Sequence, residues 1–173
     1  MRGFLTFAAL VAVSSAPALS SAASAEDVCD EGCNVRLAVL DFFAALRSAD
    51  KTALATQMVP DGTIFVHNRM DPENPRIDVV PVADHLARWE RSDRVVDEEM
   101  IQRTVLVDGD MAQVWGPYYF TVDGEVSHCG INSLSMVRTD DGWKVANTSF
   151  TMEAPETCDA MVAEIDEAMR LDQ

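Results

Sequence analysis

The fold of this chain can be read outward from the stretch AQVWGPYYFTVDGEVSHCGINSLSMVRTDDGWKVANTSFT, Ala112–Thr151. Three Asp-Gly dipeptides, at 108–109, 123–124 and 141–142, lie in or just before it. Each separates runs rich in β-branched and aromatic residues, and Asp-Gly between such runs is a strong signal for a β-hairpin. The pattern predicts four long antiparallel strands in a meander, at about 95–107, 111–122, 125–139 and 142–152.

Apolar residues upstream of the meander recur at helical spacing. The spacing predicts a first helix that begins between residues 30 and 34 and ends before residue 50. Its apolar positions are Val35, Val39, Phe42, Phe43 and Leu46. A short second helix is expected next, with Asp50 as its N-cap and with Leu54 and Met58 buried. The turn Pro60-Asp61-Gly62 ends it, and residues 64–68 then have the pattern of a strand.

The region before the meander is completed by a loop and a third helix. Residues 69–81 contain three prolines and no periodicity, which predicts a loop with a brief strand at 77–80. Val82, Leu86 and Trp89 mark a helix after it. A last helix is expected at about 156–170, with one apolar stripe. Helices followed by an antiparallel sheet indicate an α+β layer arrangement.

This order of elements resembles the nuclear transport factor 2-like superfamily, which includes ketosteroid isomerase, scytalone dehydratase and the SnoaL-like cyclases. The resemblance covers roughly residues 34–152. The motifs that look like those of small bacterial members are WGPYYF (115–120), SHCG (127–130) and GWKV (142–145). It implies a cone-shaped, cystatin-like roll of bent sheet packed on the N-terminal helices, with an apolar pocket and often a homodimer. It implies no single reaction, because this superfold carries many functions.

The catalytic residues of ketosteroid isomerases are not retained at the matching positions. The oxyanion tyrosine would correspond to Phe42 or Phe43, neither of which has a hydroxyl. The general base would correspond to Val66, and the protonated aspartate of the pocket to Asn132. A valine cannot act as a base, so the isomerase mechanism is not supported. A shift of one or two residues would bring His67 or Asn68 to the position of the base.

Alternation along two neighbouring strands predicts where a pocket would lie. Val114, Gly116, Tyr118 and Phe120 share one face, as do His128, Gly130, Asn132, Leu134 and Met136 on the next strand. Tyr118, His128 and Asn132 are then polar groups in an apolar space, which is the composition of a small-molecule pocket. The resemblance adds Phe42 and Val66 to its wall. Buried polar residues that only bond to each other would give the same pattern.

Two of the three histidines are assigned to other places. His67 is expected at the rim of the pocket or in solvent, and His85 at the surface of the third helix.

The first 25 residues have the features of a secretory signal peptide: Arg2, an apolar run from Phe4 to Val13, and the ending Ala23-Ser24-Ala25. The apolar run is too short to span a bilayer, so no membrane anchor is expected after cleavage. The mature part, residues 26–173, is expected to be one domain. The net charge is −16, and the loss of Arg2 makes it about −17, which disfavours nucleic acid as a partner. The predicted location is secreted or periplasmic.

All four cysteines lie in the predicted mature part. An oxidising compartment favours disulfides, and Cys158 is expected to pair with Cys29 or Cys33. The spacing Cys29-x3-Cys33, with no histidine nearby, is not typical of zinc, so no metal is expected. No glycine-rich phosphate loop follows a strand, so no cofactor is expected either.

These observations favour a protein that binds a small apolar or amphipathic molecule, as a homodimer formed through the sheet. One alternative is a dehydratase, isomerase or cyclase that uses His128 with His67 as acid and base. Tyr118 or Asn132 would then polarise a carbonyl. The other alternative is a dimeric protein-interaction module whose cavity is filled.

Overall fold

The helices that cover the sheet lie where the apolar spacing predicts them. The structure, a computed structural model, describes residues 29–101 and 103–161. Helix α1 spans Glu31–Arg47 and starts at an Asp30 N-cap whose side chain accepts a hydrogen bond from the Cys33 amide at 2.7 Å. A single 3-10 turn, Ala53–Thr56, follows it, and helix α2 spans Val82–Trp89. The predicted apolar stripe of α1 is buried against the sheet.

Within residues 29–101 and 103–161, seven strands form one open, mixed sheet. They are β1 (Thr63–Arg69), β2 (Arg76–Pro81), β3 (Val96–Met100), β4 (Thr104–Asp108), β5 (Met111–Val122), β6 (Glu125–Thr139) and β7 (Gly142–Glu153). Their order is β2-β1-β7-β6-β5-β3, with β4 also paired to β5. The three predicted hairpins are confirmed, and Gly109, Gly124 and Gly142 all have positive φ in their turns. The α+β arrangement is therefore as predicted.

The sheet differs from a simple antiparallel meander in two respects. The predicted strand at 95–107 is two strands: β3 pairs with the second half of β5 and β4 with its first half. The twelve residues of β5 are longer than either partner, and Gly116-Pro117 of β5 lie between the two pairings, opposite the break. In addition, β1 runs parallel to β7, with Ile64 opposite Thr148, because the α2 region intervenes between β1 and the meander.

The sheet bends around its inner face, where the core lies. Register irregularities fall between Phe120 and Thr121 on β5 and between Ser135 and Met136 on β6. Such bulges increase the twist and curvature of long strands. Helix α1 contacts β3, β4 and β7 on the inner face. The curved sheet thereby leaves a space between itself, α1 and α2.

The disulfides correct the predicted cysteine pairing. Cys158 pairs with Cys129, and Cys29 pairs with Cys33. Cys29 and Cys33 flank the start of α1 and are close enough to bridge, with Cα atoms 5.4 Å apart. Cys129 lies opposite Glu153 at the end of β7, and the chain turns there into the helical segment that carries Cys158. The prediction paired Cys158 with an N-terminal cysteine and assigned no partner to Cys129, which is the residue that Cys158 bonds to.

Parts of the predicted chain lie outside the described residues. The C-terminal helix is described over 155–161, and the remainder of the predicted 156–170 helix lies beyond it. The predicted signal peptide, residues 1–25, is likewise outside the described ranges. Within 29–101 and 103–161, no helix has the length and apolar character needed to cross a membrane.

Candidate functional site

A cavity of about 270 Å³ lies between the inner face of the sheet and the two helices. Every layer of the fold contributes to its wall: α1, β1, β2, α2, β3, β5, β6 and β7. Most of that wall is apolar, and much of it is aromatic. The aromatic side chains are Phe42, His85, Trp89, Tyr118, Phe120, His128 and Phe150.

Tyr118 is buried in the wall, and its hydroxyl is already used. It donates a hydrogen bond at 2.8 Å to the main-chain carbonyl of Thr151. That contact depends on Gly130, which faces Tyr118 across the β5–β6 ladder, because a Cβ at Gly130 would overlap the carbonyl oxygen and hydroxyl of Thr151. Burial raises the pKa of Tyr118, so the phenol stays neutral. Tyr118 therefore forms part of the cavity wall, and its hydroxyl hydrogen is not free for a ligand.

His128 packs between two aromatic rings of the wall. Its ring stacks on Phe120 at 4.8 Å between centroids and meets Tyr118 edge-on at 5.8 Å. Nδ1 lies 3.2 Å from the Ser127 hydroxyl. Burial lowers the pKa of His128 to about 4, so the imidazole is neutral at pH 7. A neutral imidazole can accept a proton but supplies no positive charge.

Glu98 and Asn132 form a buried polar pair in the same wall. Glu98 is 7% exposed and Asn132 is 4% exposed. The Asn132 amide Nδ2 donates to Glu98 Oε1 at 2.7 Å, whereas Asn132 Oδ1 is buried without a hydrogen-bond partner. Burial raises the pKa of Glu98 to about 7, although the Asn132 hydrogen bond acts the other way and nearby Asp97 adds to the rise. A carboxyl group that titrates near neutral pH in a cavity is a functional candidate.

Helix α2 contributes three residues to the cavity wall. Arg88 is exposed, whereas His85 and Trp89 are half-buried, and all three line the cavity. The His85 and Trp89 rings stack at 5.8 Å. Burial, with a smaller contribution from the Arg88 charge, lowers the pKa of His85. The indole nitrogen of Trp89 is buried and has no hydrogen-bond partner.

The structure brings together five of the residues that the sequence singles out, whereas His67 and Asn68 do not line the cavity. Tyr118, His128, Asn132, Phe42 and Val66 all line the cavity.

His67 does not reach the cavity. Because Val66 points inward, alternation turns His67 to the outer face of the sheet, where its Nε2 lies 3.1 Å from the Ser149 hydroxyl. The proposed acid and base pair of His128 with His67 is therefore wrong.

Two cavity residues of interest were missed by sequence reasoning. His85 was expected at the surface but lies half-buried in the cavity wall. Glu98 sits in the acidic run Asp97-Glu98-Glu99, which is typical of a solvated surface. The signal that could have placed Glu98 in the interior is its alternation with Val96 and Met100. These three residues are buried and the residues between them are exposed.

No metal centre accompanies these groups in the part of the chain that the structure describes. There, no three His, Cys, Asp or Glu side chains are grouped so that they could hold a metal ion.

Comparison by sequence finds no relative of this chain: no protein-family model matches it, and no curated protein matches it. Comparison by structure finds similar proteins. A candidate dehydratase of the NTF2-like family from Streptomyces avermitilis is 18% identical, with a TM-score of 0.54 over 69% of this chain and 93% of that chain.

Two further solved structures are similar to the same extent. The β subunit of a candidate aromatic-ring-hydroxylating dioxygenase from Novosphingobium aromaticivorans is 13% identical, with a TM-score of 0.57 over 71% of this chain and 89% of that chain. A candidate association domain of calcium/calmodulin-dependent protein kinase II from Xanthomonas campestris is 22% identical, with a TM-score of 0.53 over 73% and 91%. Identities this low bear on the fold and not on the reaction.

Proposed function

We propose that this chain, which has the nuclear transport factor 2-like fold, binds a small apolar or amphipathic molecule in the cavity between its sheet and helices. The observation that carries the proposal is the cavity itself, an aromatic-lined space of about 270 Å³ with only a few polar atoms in its wall. Apolar pockets with a small number of placed polar groups are the usual form of small-molecule sites.

The size of the cavity limits the ligand. An apolar cavity of about 150 Å³ accommodates a benzene ring, and pockets for drug-sized molecules begin at about 300 Å³. A space of about 270 Å³ therefore suits a molecule with one aromatic ring and a short side chain, or an aliphatic molecule of similar size. The exposed position of Arg88 beside the half-buried His85 and Trp89 gives such a molecule an entry at α2.

Filling the cavity tests the proposal. Val80 lines the cavity, whereas Val79, its neighbour on β2, points away and is 59% exposed. In isothermal titration calorimetry with 2-phenylethanol as the probe, Val80→Phe should weaken binding at least tenfold, while Val79→Phe should leave it unchanged. Equal affinity for wild type and Val80→Phe would show that the probe binds elsewhere, and absence of binding to the wild type would count against the function.

We also propose that binding takes place outside the cytoplasm. The two disulfides suit an oxidising compartment, and the first 25 residues have the pattern of a cleaved leader. N-terminal sequencing of the protein purified from its native host should begin at Glu26. A retained Met1 in protein from the cytoplasm would contradict the proposal.

A dehydratase or isomerase is the second candidate, and one observation favours it. Glu98 is a cavity carboxyl group whose pKa lies near 7, which suits a general acid or base at neutral pH. It replaces His67 in that role, with neutral His128 as a possible second proton acceptor. In a dehydration, ionised Glu98 would take the proton from the carbon next to a carbonyl. The electrons of that C–H bond would form the C=C bond as the C–O bond breaks, and Glu98 would return the proton to the leaving hydroxyl, which departs as water. Turnover of β-hydroxycarbonyl compounds should then be lost in Glu98→Gln and kept in His67→Ala.

We further propose a homodimer through the outer face of the sheet, which would also suit an interaction module. Phe65 and Val79 lie opposite each other at one end of this face, and Trp115 lies at the other. Ser149 and Ser133 sit between them in the same row across the sheet. The apolar residues are exposed, and the small serines leave room for a second sheet to approach. One structural neighbour is a subunit and another an association domain.

A further inference from the structure

We infer that the cavity selects a ligand that carries a protonated amine on an apolar body, with the ammonium held by Glu98 and Asn132. The inference rests on the proposed binding function and narrows it to one class of molecule. It depends on three observations: a buried carboxyl group without a counter-ion, a buried acceptor without a donor, and aromatic rings in the same wall.

Glu98 has no cationic partner of its own. Within the described residues, no lysine, arginine or histidine forms an ion pair with its side chain. Arg47 comes near, but its guanidinium bonds to the main-chain carbonyl of Glu98 at 3.1 Å and to the Asp97 carboxylate at 3.0 Å. A buried carboxylate left without a counter-ion is costly, so the site favours a ligand that brings the positive charge with it.

The polar atoms beside the carboxyl group are also acceptors. The Asn132 amide nitrogen is used on Glu98, and the Asn132 oxygen, on a residue of the cavity wall, is a buried acceptor with no donor. The Tyr118 hydroxyl cannot supply one, since it donates to Thr151. An ammonium group has three N–H donors and no acceptor, which allows it to serve Glu98 and Asn132 at once.

The aromatic wall suits the same group. Tyr118, Phe120 and Phe150 line the cavity together with Glu98. Aromatic faces attract a cation within about 6 Å, and the attraction grows when the cation is out of water. An ammonium cannot accept from the unpartnered Trp89 indole N–H, so that donor remains for an acceptor elsewhere on the ligand.

Amine binding of this kind depends on pH because only the ionised carboxylate attracts the cation. The charged or titratable groups near Glu98 are Asp97 and Glu99 on its own strand, Arg47 on α1, Arg103 before β4, Tyr118 on β5, His128 on β6, and His85 and Arg88 on α2. Burial lowers the pKa values of both cavity histidines. The change between pH 5.5 and pH 8 therefore belongs mainly to Glu98.

Two probes of nearly equal shape, one charged and one neutral, separate the effect of the ammonium charge from the effect of ligand shape. Calorimetric titration of the wild type at pH 8 should show 2-phenylethylamine binding at least tenfold more tightly than 2-phenylethanol. At pH 5.5 the preference should shrink to about threefold or less. Glu98→Gln should reduce the preference to within twofold at pH 8. Glu99→Gln is the matched control, because Glu99 is exposed on the same strand, and it should behave as wild type.

The outcomes distinguish this inference from the function on which it rests. If the alcohol binds the wild type as tightly as the amine at pH 8, or if Glu98→Gln keeps the preference, the inference is overturned and the binding function stands. If the wild type binds neither probe, the binding function fails and takes the inference with it. Should Glu98→Gln not fold, the pH dependence of the preference in the wild type decides the matter without a variant.

Discussion

Glu98 and His128 face one cavity, and burial moves their pKa values in opposite directions. The pKa of Glu98 rises to about 7 and that of His128 falls to about 4. Both shifts have the same cause, since burial disfavours whichever form is charged. In the absence of a ligand, both groups are neutral between about pH 4 and pH 7, and each group ties stability to pH with its own sign.

Substitution should separate these two contributions to stability. With an unfolded pKa of 4.5, Glu98 stabilises the fold below pH 4.5 and loses that contribution as pH rises to about 7. Glu98→Gln should therefore gain about 3 kcal/mol in free energy of unfolding relative to wild type across that window.

His128 works in the opposite sense. With an unfolded pKa of 6.5, His128 contributes its full stabilisation of the fold above pH 6.5, and this stabilisation is lost as the pH falls to about 4. His128→Gln should lose about 3 kcal/mol relative to wild type as pH rises through that window. Urea unfolding of both variants from pH 4 to pH 8 measures these differences, and curves parallel to wild type would contradict both.

Gly130 is needed because the chain of β7 lies against it. Gly130→Ala should destabilise the protein by about 2 kcal/mol or more, since the new methyl group would push Thr151 away and break the Tyr118 hydrogen bond. Gly32→Ala is the matched control. It lies within α1, where alanine favours the helix and the new Cβ meets only the ends of the Arg36 and Asp30 side chains, so it should be neutral or stabilising. Thermal unfolding measures the difference. The midpoint temperature of Gly130→Ala should lie below that of wild type, and that of Gly32→Ala should equal or exceed it.

Residues at the cavity could be predicted from sequence where alternation was plain. Tyr118, His128 and Asn132 follow β5 and β6, whose buried positions repeat every second residue. Glu98 was missed because its acidic neighbours hide a strand of only five residues. His85 was missed because the way in which a short helix is rotated against a cavity depends on packing that sequence spacing does not specify.

Among the elements, the C-terminal helical segment is fixed to the sheet by a disulfide and a hydrogen bond. The Cys129–Cys158 disulfide holds the start of the helical segment against β6, and the Tyr119 hydroxyl donates to the Cys158 carbonyl at 3.3 Å. Cys129 directly follows His128, so the same disulfide supports the cavity wall.

Removing each disulfide should show how much each one stabilises the fold. The Cys129–Cys158 bridge spans 29 residues, and its loss in Cys129→Ala/Cys158→Ala should cost about 3.5 kcal/mol from chain entropy. The Cys29–Cys33 bridge spans 4 residues, and the matching double variant should lose about 2 kcal/mol. Urea unfolding under non-reducing conditions compares the two, and a larger loss for the Cys29 and Cys33 variant would contradict the expectation.

Most elements were predicted because their signals are local. The periodicity of α1 and the Asp-Gly turns need only neighbouring residues. The division of the predicted strand at 95–107 into β3 and β4, the parallel pairing of β1 with β7, and the partner of Cys158 depend on which distant segments meet. These pairings are set by how the sheet packs, and they cannot be predicted from neighbouring residues alone.

At the scale of the whole molecule, the outer face of the sheet is expected to join two copies of the chain. Val79→Lys should convert a dimer to a monomer, because a charge would be buried in the interface. Leu37→Lys is the control, since Leu37 is 51% exposed on α1, away from the sheet. Size-exclusion chromatography with light scattering gives the masses. A monomeric wild type, or a dimer in both variants, would count against an interface on this face.

The parallel pairing of β1 with β7 also has a kinetic consequence. Ile64 and Thr148 are partners although 84 residues separate them, so this junction closes a long loop. Long-range pairing slows folding, to milliseconds or seconds in sheet-rich proteins. Because β1 and β2 supply Ile64, Val66 and Val80, the cavity has no wall on that side until the slow step is complete. A bound molecule can therefore hold the closed state and slow its unfolding, but it cannot hasten its formation.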